Sequence, residues 1–163
     1  MSLLEKKELF VVKDTFVSDQ KNKEDVFKEV FSKLSAEGLV KPEFLENLLL
    51  REKNFPTGID LSVVDPDLPN VAIPHTEGKF VNVCQVIPIK CKNPITFYNM
   101  IEPQKKIEVS FLFMILNNDP EGQSNILAEI MDFLTTTSKN SLKAFFKADE
   151  DIVIFNFLNN NFS

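Results

Sequence analysis

The chain has 163 residues and is poor in several residue types, and each scarcity excludes a class of protein. Four glycines do not supply a Walker or Rossmann nucleotide-binding loop. Two cysteines, Cys84 and Cys91, are too few for a secreted disulfide framework and fit a reducing compartment. One histidine and two cysteines do not complete a four-ligand zinc site without carboxylates. The sequence therefore predicts no metal and no other cofactor.

Long apolar runs and an excess of basic charge are also missing. The longest uninterrupted apolar run, residues 111–116, is far shorter than the ~20 residues of a membrane-spanning helix. The 18 basic and 24 acidic residues give a formal net charge of −6, which disfavours nucleic acid as a partner. The N-terminal segment has no apolar stretch typical of a signal peptide. We therefore expect a cytoplasmic protein that forms one domain, 1–163, without direct membrane insertion.

Hydrophobic periodicity predicts strands separated by helices. A helix is expected over 24–37, with Gly38 as the residue that ends it. Further helices are expected from Pro42 to about Arg51, from Asp119-Pro120 through Leu134, and near 141–147 and 150–158. Strands are expected over 9–12, 71–73, 81–87 and 107–116. The last strand is apolar on both faces, as a central strand is when helices cover both sides of a sheet. This order predicts an α/β fold, with a mixed sheet flanked by helices in a three-layer α/β/α sandwich.

The only histidine, His75, lies in the segment NVAIPHTE, directly after a proline and a short predicted strand. Proline fixes φ and restricts how the chain leaves the strand. An imidazole acts as a nucleophile when one ring nitrogen is free and the other is held by a hydrogen bond. The sequence leaves two interpretations open, because an isolated histidine is more often an ordinary half-buried side chain.

The only arginine, Arg51, stands among 17 lysines and begins the segment REKNFPTGI. A guanidinium grips phosphate through a planar fork that lysine lacks. Thr57 and Gly58 follow in a predicted turn, where a hydroxyl and backbone N–H groups can join the arginine in an anion site. Taken alone, this segment is more often an ordinary loop after a helix, so the pairing with His75 carries the signal.

Two other constellations are weaker. A Cys84–His75 dyad is conceivable, but Cys84 lies within a strand pattern and is more typical of a small core residue. The run Asn117-Asn-Asp-Pro-Glu-Gly122 begins like a calcium loop, yet Ala128 stands where such a loop needs glutamate. Neither pattern predicts a thiol enzyme or a calcium site.

The segments REKNFPTGI and NVAIPHTE together resemble the enzyme IIA proteins of the bacterial sugar phosphotransferase system, in the fructose–mannitol superfamily. The resemblance extends over about residues 9–158, and the residues around His75 are most similar to the galactitol-type branch. It implies a phosphotransferase component that carries a phosphoryl group on histidine. The implied donor is the carrier protein HPr and the implied acceptor is the cysteine of enzyme IIB, with enzyme IIC in the membrane.

The resemblance also implies roles for individual residues. His75 matches the phosphorylated histidine, Arg51 the arginine beside the phosphoryl group, and Thr57 the turn hydroxyl next to it. Mannitol-type members have a second histidine near the start of the late helix, where this chain has Gln123. Gln123 is therefore expected to offer phosphate only a neutral hydrogen bond.

Several questions stay open at this level. Glu52 and Glu77 are alternative groups to orient the His75 ring, and Nε2 is the expected acceptor nitrogen. Phe55 and Phe80 are candidates for an apolar docking patch around an exposed His75. A regulatory protein of the same fold, phosphorylated on His75 but acting by binding a partner, is the alternative function. A third possible function is that of an interaction domain in which His75 is inert.

Overall fold

The computed structural model describes residues 9–119 and 123–162, in which strands and helices alternate. The strands are β1 (Phe16–Ser18), β2 (Gly58–Ile59), β3 (Asn70–Ala72), β4 (Cys84–Tyr98) and β5 (Lys106–Asn117). The α-helices are α1 (Lys23–Ala36), α2 (Phe44–Asn54), α3 (Gln123–Thr136), α4 (Lys139–Lys147) and α5 (Asp151–Asn161). Short 3₁₀ turns cover Val12–Asp14, Leu61–Val63 and Gly78–Phe80.

Within the described residues, these strands form one mixed sheet in the order β1-β4-β5-β3-β2. The long strands β4 and β5 pair antiparallel at its centre. The short strands β1 and β3 pair parallel to β4 and β5 respectively, and β2 pairs antiparallel to β3 at the edge. The fold is thus the predicted α/β/α sandwich with a mixed sheet.

The helices cover the two faces of the sheet unequally. One buried cluster joins α1 and α2 to side chains such as Leu112 and Met114. The other joins α3, α4 and α5 to the intervening side chains of the same strand, such as Phe111 and Phe113. Because successive side chains of a strand point to opposite faces, β5 is apolar almost throughout, as its sequence predicts.

The end of α1 confirms the predicted role of Gly38. Its φ of +76° lies in the left-handed region, which costs glycine little because it has no Cβ. The amide of Gly38 donates to the carbonyl of Ser35, and that of Leu39 donates to the carbonyl of Leu34, each over 3.0 Å. This pair of bonds is a Schellman motif, which satisfies carbonyls left over at the helix end.

Several predicted boundaries differ from the structure. Residues 9–11 form no strand, although the Leu9 carbonyl accepts a 2.7 Å hydrogen bond from Val86. Helix α2 begins at Phe44, because the residues after Pro42 still form a turn. The strand predicted over 81–87 begins at Cys84 and continues through two prolines to Tyr98, with its register shifted between Lys90 and Ile95. The third helix is described from Gln123, and residues 120–122 of the predicted start lie outside the described residues.

Candidate functional site

His75 lies where the chain leaves β3 and continues alongside β5. The Pro74 carbonyl accepts a 3.0 Å hydrogen bond from the amide of Ile115, and His75 forms a parallel bridge to that same residue. The strand β5 therefore fixes the backbone on which the histidine is carried. His75 is half-buried, whereas the sequence predicted an exposed histidine.

A backbone carbonyl orients the His75 ring. Nδ1 lies 2.9 Å from the carbonyl oxygen of Ile73, and a carbonyl only accepts, so Nδ1 carries the proton. The neutral ring then has its lone pair on Nε2. Burial is the main cause that lowers the pKa of His75, and the nearby Arg51 charge lowers it too, against the opposing effect of the Ile73 bond. The neutral, Nδ1-protonated form is therefore favoured.

Arg51 lies in the last turn of α2 and shares a small cavity with His75. Its guanidinium carbon is 5.4 Å from the centre of the Phe55 ring, a cation–π arrangement. The amide of Phe55 donates 2.7 Å to the Arg51 carbonyl, which ends the helix. The helix end thus brings a permanent positive charge to the histidine.

Thr57 lies in the same loop, and its hydrogen-bond donors go to Glu52. Its amide donates to Glu52 Oε2 and its hydroxyl donates to Glu52 Oε1, each over 2.8 Å. Glu52 is only 4% exposed. Burial raises the pKa of Glu52, while the two bonds from Thr57 oppose this rise.

The cavity at His75 has a volume of about 140 Å³. Its lining residues are Arg51, Glu52, Phe55, Pro56, Thr57, His75 and Met100. Met100 belongs to the turn between β4 and β5, and its amide donates 2.7 Å to the Gly58 carbonyl. The cavity therefore joins the end of α2, the exit from β3 and the β4–β5 turn.

The structure brings three of the four predicted site residues, His75, Arg51 and Thr57, to one cavity. Gln123 is the first residue of α3, and its side chain lies outside what the structure describes. Of the two aromatic residues expected at the patch, Phe55 lines this cavity, whereas Phe80 lines a separate one of about 700 Å³.

The sequence pattern did not single out three features: the Ile73 carbonyl, Met100, and the two hydrogen bonds that Thr57 donates to Glu52, which we call the Thr57–Glu52 clamp. The Ile73 acceptor is a backbone atom and has no residue-type signal. For the clamp, the available signal was a glutamate at the predicted end of a helix, five residues before a threonine in the following loop. Of the two acids considered, Glu52 holds Thr57 and Glu77 is exposed.

Residues 9–119 and 123–162 contain neither a cluster of metal ligands nor a helix that could span a membrane. No cluster of three or more histidine, cysteine, aspartate or glutamate side chains there is arranged to hold a metal ion. None of the helices there is both long and apolar enough to cross a membrane.

A neutral imidazole with a free nitrogen beside a guanidinium, on an α/β sandwich, is the arrangement expected of a protein that carries phosphoryl groups on histidine. Residues 8–161 match the sequence model of the family "Phosphoenolpyruvate-dependent sugar phosphotransferase system, EIIA 2". The chain therefore belongs to this family, and it is a phosphotransferase component that relays a phosphoryl group through phosphohistidine.

Individual relatives are distant. The galactitol-specific EIIA component of Escherichia coli K12 is 23% identical over 134 residues, which cover 77% of this chain and 85% of that protein. The mannitol enzyme IIA of E. coli, solved in complex with phosphorylated enzyme IIB, matches with a TM-score of 0.69 at 16% identity, over 93% of this chain and 97% of that one. The nitrogen regulatory protein IIA-Ntr of Neisseria meningitidis matches with a TM-score of 0.64 at 19% identity, over the same shares. These structures show that the fold is shared.

Proposed function

We propose that His75 is the phosphoryl-carrying residue and that it accepts the group on Nε2. The observation that carries this proposal is the hydrogen bond from Nδ1 to the Ile73 carbonyl, which leaves the lone pair on Nε2. A nucleophilic imidazole needs this division of roles between its two nitrogens. The low pKa of His75 keeps the ring unprotonated at neutral pH.

In each phosphoryl transfer one bond to phosphorus forms as another breaks, and this site contributes only the imidazole to that exchange. The Nε2 lone pair forms a bond to phosphorus as the bond from phosphorus to the donor's ring nitrogen breaks, and that nitrogen keeps the electron pair. His75 then holds a phosphorylated ring with its Nδ1 proton still donated to Ile73. In the outward step a thiolate attacks phosphorus and the electron pair returns to Nε2. No proton has to leave Nδ1 in either direction.

Arg51 acts on both the free and the phosphorylated form of His75. Its positive charge disfavours protonation of the free histidine and attracts the negative phosphoryl group. A relay protein must also release the group, and a site that bound it too tightly would slow the outward step. A single arginine beside His75 suits that requirement. The contacts of Thr57 and Gln123 with the phosphoryl group stay predictions, and the Thr57 hydroxyl proton is already donated to Glu52.

The surface around the cavity supports docking of protein partners. Phe55 is 65% exposed and Met100 is 36% exposed, and both line the His75 cavity. Ile101, next to Met100, is 87% exposed. Exposed apolar side chains grouped at a site mark a contact surface. We assign this surface to phospho-HPr as donor and to enzyme IIB as acceptor, with enzyme IIC in the membrane and the relay in the cytoplasm.

The galactitol-type branch is the sugar branch that we favour, because the residues around His75 and the E. coli relative both point to it. On this proposal the chain as a whole, 1–163, acts as one enzyme IIA domain. The alternative is a regulatory protein that is phosphorylated on His75 and controls a partner by binding. The shared fold with a nitrogen regulatory protein supports that alternative.

The test is intact-mass spectrometry after incubation with enzyme I, HPr and phosphoenolpyruvate. We expect one acid-labile phosphoryl group on the unaltered protein and none on the variant His75→Ala. No added mass with active donors would overturn the relay through His75. Purified galactitol-type IIB is then added to the phosphorylated protein. Loss of the group to IIB supports the transport role, and its retention favours the regulatory alternative.

A further inference from the structure

Glu52 is linked to the His75 ring through a series of three hydrogen-bonded contacts. Its carboxylate accepts from the Thr57 amide over 2.8 Å. The Thr57 carbonyl accepts from the Ile73 amide over 3.2 Å. The Ile73 carbonyl accepts from His75 Nδ1 over 2.9 Å. The carbonyl that fixes the ring is therefore tied, through the edge of the sheet, to a buried carboxylate on α2.

The carboxylate end of this series is firmly placed. Glu52 is almost fully buried and receives both donors of Thr57, so both of its oxygens are occupied. Thr57 is itself 5% exposed, and it directly precedes β2, which pairs with β3. The loop between α2 and β2 therefore has one position relative to the backbone that precedes His75.

The link acts by geometry, since the bonds do not run through a single conjugated chain. The Thr57 amide and the Thr57 carbonyl belong to different peptide groups, as do the amide and the carbonyl of Ile73. Each step therefore crosses an α-carbon, and polarisation passes poorly across it. The Glu52 charge is also absent from the causes that shift the pKa of His75, which are burial, Ile73 and Arg51.

We propose that Glu52 is a positioning residue for His75: its clamp on Thr57 holds the Ile73 carbonyl where it fixes the ring as the Nδ1-protonated tautomer. Without the clamp, the loop and β2 shift against β3 and the Ile73 carbonyl leaves the ring plane. The ring then samples the other tautomer, in which Nε2 carries the proton and is no nucleophile. This inference rests on the proposed function, because it takes His75 as the acceptor.

The only histidine of the chain is also the probe that tests this inference. A long-range ¹H–¹⁵N NMR spectrum of the folded protein reports the tautomer and the pKa of that single ring, and it needs no phosphoryl donor. For the unaltered protein we expect the Nδ1-protonated tautomer alone. For Glu52→Met, which keeps the length of the side chain but has no acceptor oxygen, we expect a mixture of tautomers.

Two further variants separate geometry from charge and from general destabilisation. Glu52→Gln loses the charge, yet its amide oxygen accepts from the Thr57 amide and its NH₂ group donates to the Thr57 hydroxyl. We expect this variant to restore the single tautomer. Glu29 on α1 accepts a 2.7 Å hydrogen bond from Ser18 Oγ on β1, at the opposite edge of the sheet. Glu29→Met thus removes a carboxylate contact that is partly buried, and we expect it to leave the His75 tautomer unchanged.

Phosphoryl acceptance from phospho-HPr gives the second readout. We expect the rate to fall on the order of 10–100-fold in Glu52→Met, because a shift of about 1 Å at a reacting group has effects of that size. An unchanged tautomer in folded Glu52→Met overturns the inference. A Glu52→Gln variant that behaves like Glu52→Met also overturns it, because the charge and not the clamp would then be responsible.

If Glu52→Met does not fold, Thr57→Val provides the test, since it removes the hydroxyl bond and keeps the amide bond. A partial shift of the tautomer supports the inference, and an unchanged tautomer contradicts it. In the unaltered protein, the amides of Thr57 and Ile73 should exchange with solvent at a common rate; an unprotected Thr57 amide beside a protected Ile73 amide contradicts the clamp. If Glu52→Met shifts the tautomer but the unaltered protein accepts no phosphoryl group, the proposed function is refuted, and the positioning of His75 by Glu52 still stands.

Discussion

The guanidinium carbon of Arg51 lies 5.4 Å from the centre of the Phe55 ring, and the Phe55 amide donates 2.7 Å to the Arg51 carbonyl. Phe55 thus contacts the Arg51 side chain through its ring and the Arg51 backbone carbonyl through its amide. A cation–π contact uses the charge of the guanidinium and none of its N–H groups. This leaves the fork of Arg51 available to a phosphoryl group in the cavity that it shares with His75.

Replacing Arg51 by lysine should slow phosphoryl acceptance although the positive charge remains. Lysine lacks the planar fork, and its ammonium does not stack on Phe55 in the same way. We expect a loss on the order of 10-fold or more in the rate measured by rapid quench with phospho-HPr. Lys53→Arg, an exposed change on the same helix outside the cavity, is the control and should keep the normal rate. An unaltered rate in Arg51→Lys would remove the fork from the mechanism.

The rate of phosphoryl acceptance should be constant around neutral pH and decrease only in acid. Burial and the Arg51 charge lower the pKa of His75 below its ordinary value of 6.5, so the ring is neutral at pH 7. As the pH falls through this lowered pKa, Nε2 gains a proton and loses its lone pair. Arg51→Gln removes one of the two causes, so the pKa of His75 should rise. NMR titration of the single histidine measures both values, and an equal or lower pKa in the variant would contradict the assigned cause.

The same shift has a consequence for stability. Because the pKa of His75 is lower in the folded state, the unfolded chain binds more protons between the folded pKa and about 6.5. The free energy of unfolding contributed by this group is therefore fully present above pH 6.5 and is lost as the pH falls through that window. Urea unfolding of the protein and of His75→Ala at pH 7.5 and 5.5 measures it. The variant should lose less stability on acidification than the unaltered protein.

The elements with strong sequence patterns were predictable. The helical period of α1, the stop at Gly38 and the continuous apolar run of β5 each follow from local chemistry. The strands β1 and β2 were not predicted, because their three and two residues contain no apolar run as long as the one over 71–73 that indicates β3. Their pairing depends on neighbouring strands that are distant in the sequence.

The candidate site also has features that the sequence predicts and features that it does not. The grouping of His75, Arg51 and Thr57 at one cavity was predictable, because a proline-flanked histidine, a lone arginine and a loop hydroxyl differ from their surroundings. What was not predictable is how they are held. The Ile73 carbonyl is a backbone atom, and the Glu52 clamp depends on the burial of a carboxylate that the sequence leaves as an ordinary helical charge.

Truncation of Phe55 should weaken partner binding with little effect on stability. This ring is 65% exposed at the rim of the His75 cavity, so it contributes contact area to a partner and little to the core. Phe55→Ala should raise the Kd for HPr or IIB about 10-fold, which corresponds to about 1.4 kcal/mol. Ile152→Ala, at a 48% exposed position on α5 in the other helical layer, should leave the Kd unchanged. Equal affinities of the two variants in calorimetric titration would place the docking surface elsewhere.

Gly58 should not tolerate a side chain, because the end of β4, which leads into the turn that carries Met100, approaches it closely. A Cβ built at Gly58 would lie 2.6 Å from the carbonyl oxygen of Tyr98, a backbone atom that cannot rotate away. The Gly58 carbonyl also accepts the 2.7 Å bond from the Met100 amide, so a shift here moves one wall of the cavity. We expect Gly58→Ala to lower the free energy of unfolding by about 1–3 kcal/mol, as overpacking does.

The matched control for this change is Gly38→Ala. Gly38 has open space around its missing side chain, and its positive φ is the sole source of strain. That strain should cost about 1 kcal/mol and should leave phosphoryl acceptance by His75 unchanged. Gly58→Ala should instead lose both stability and acceptance rate, because Gly58 directly follows the clamped Thr57. If urea unfolding and acceptance kinetics are normal in Gly58→Ala, the close approach of the end of β4 does not shape the site.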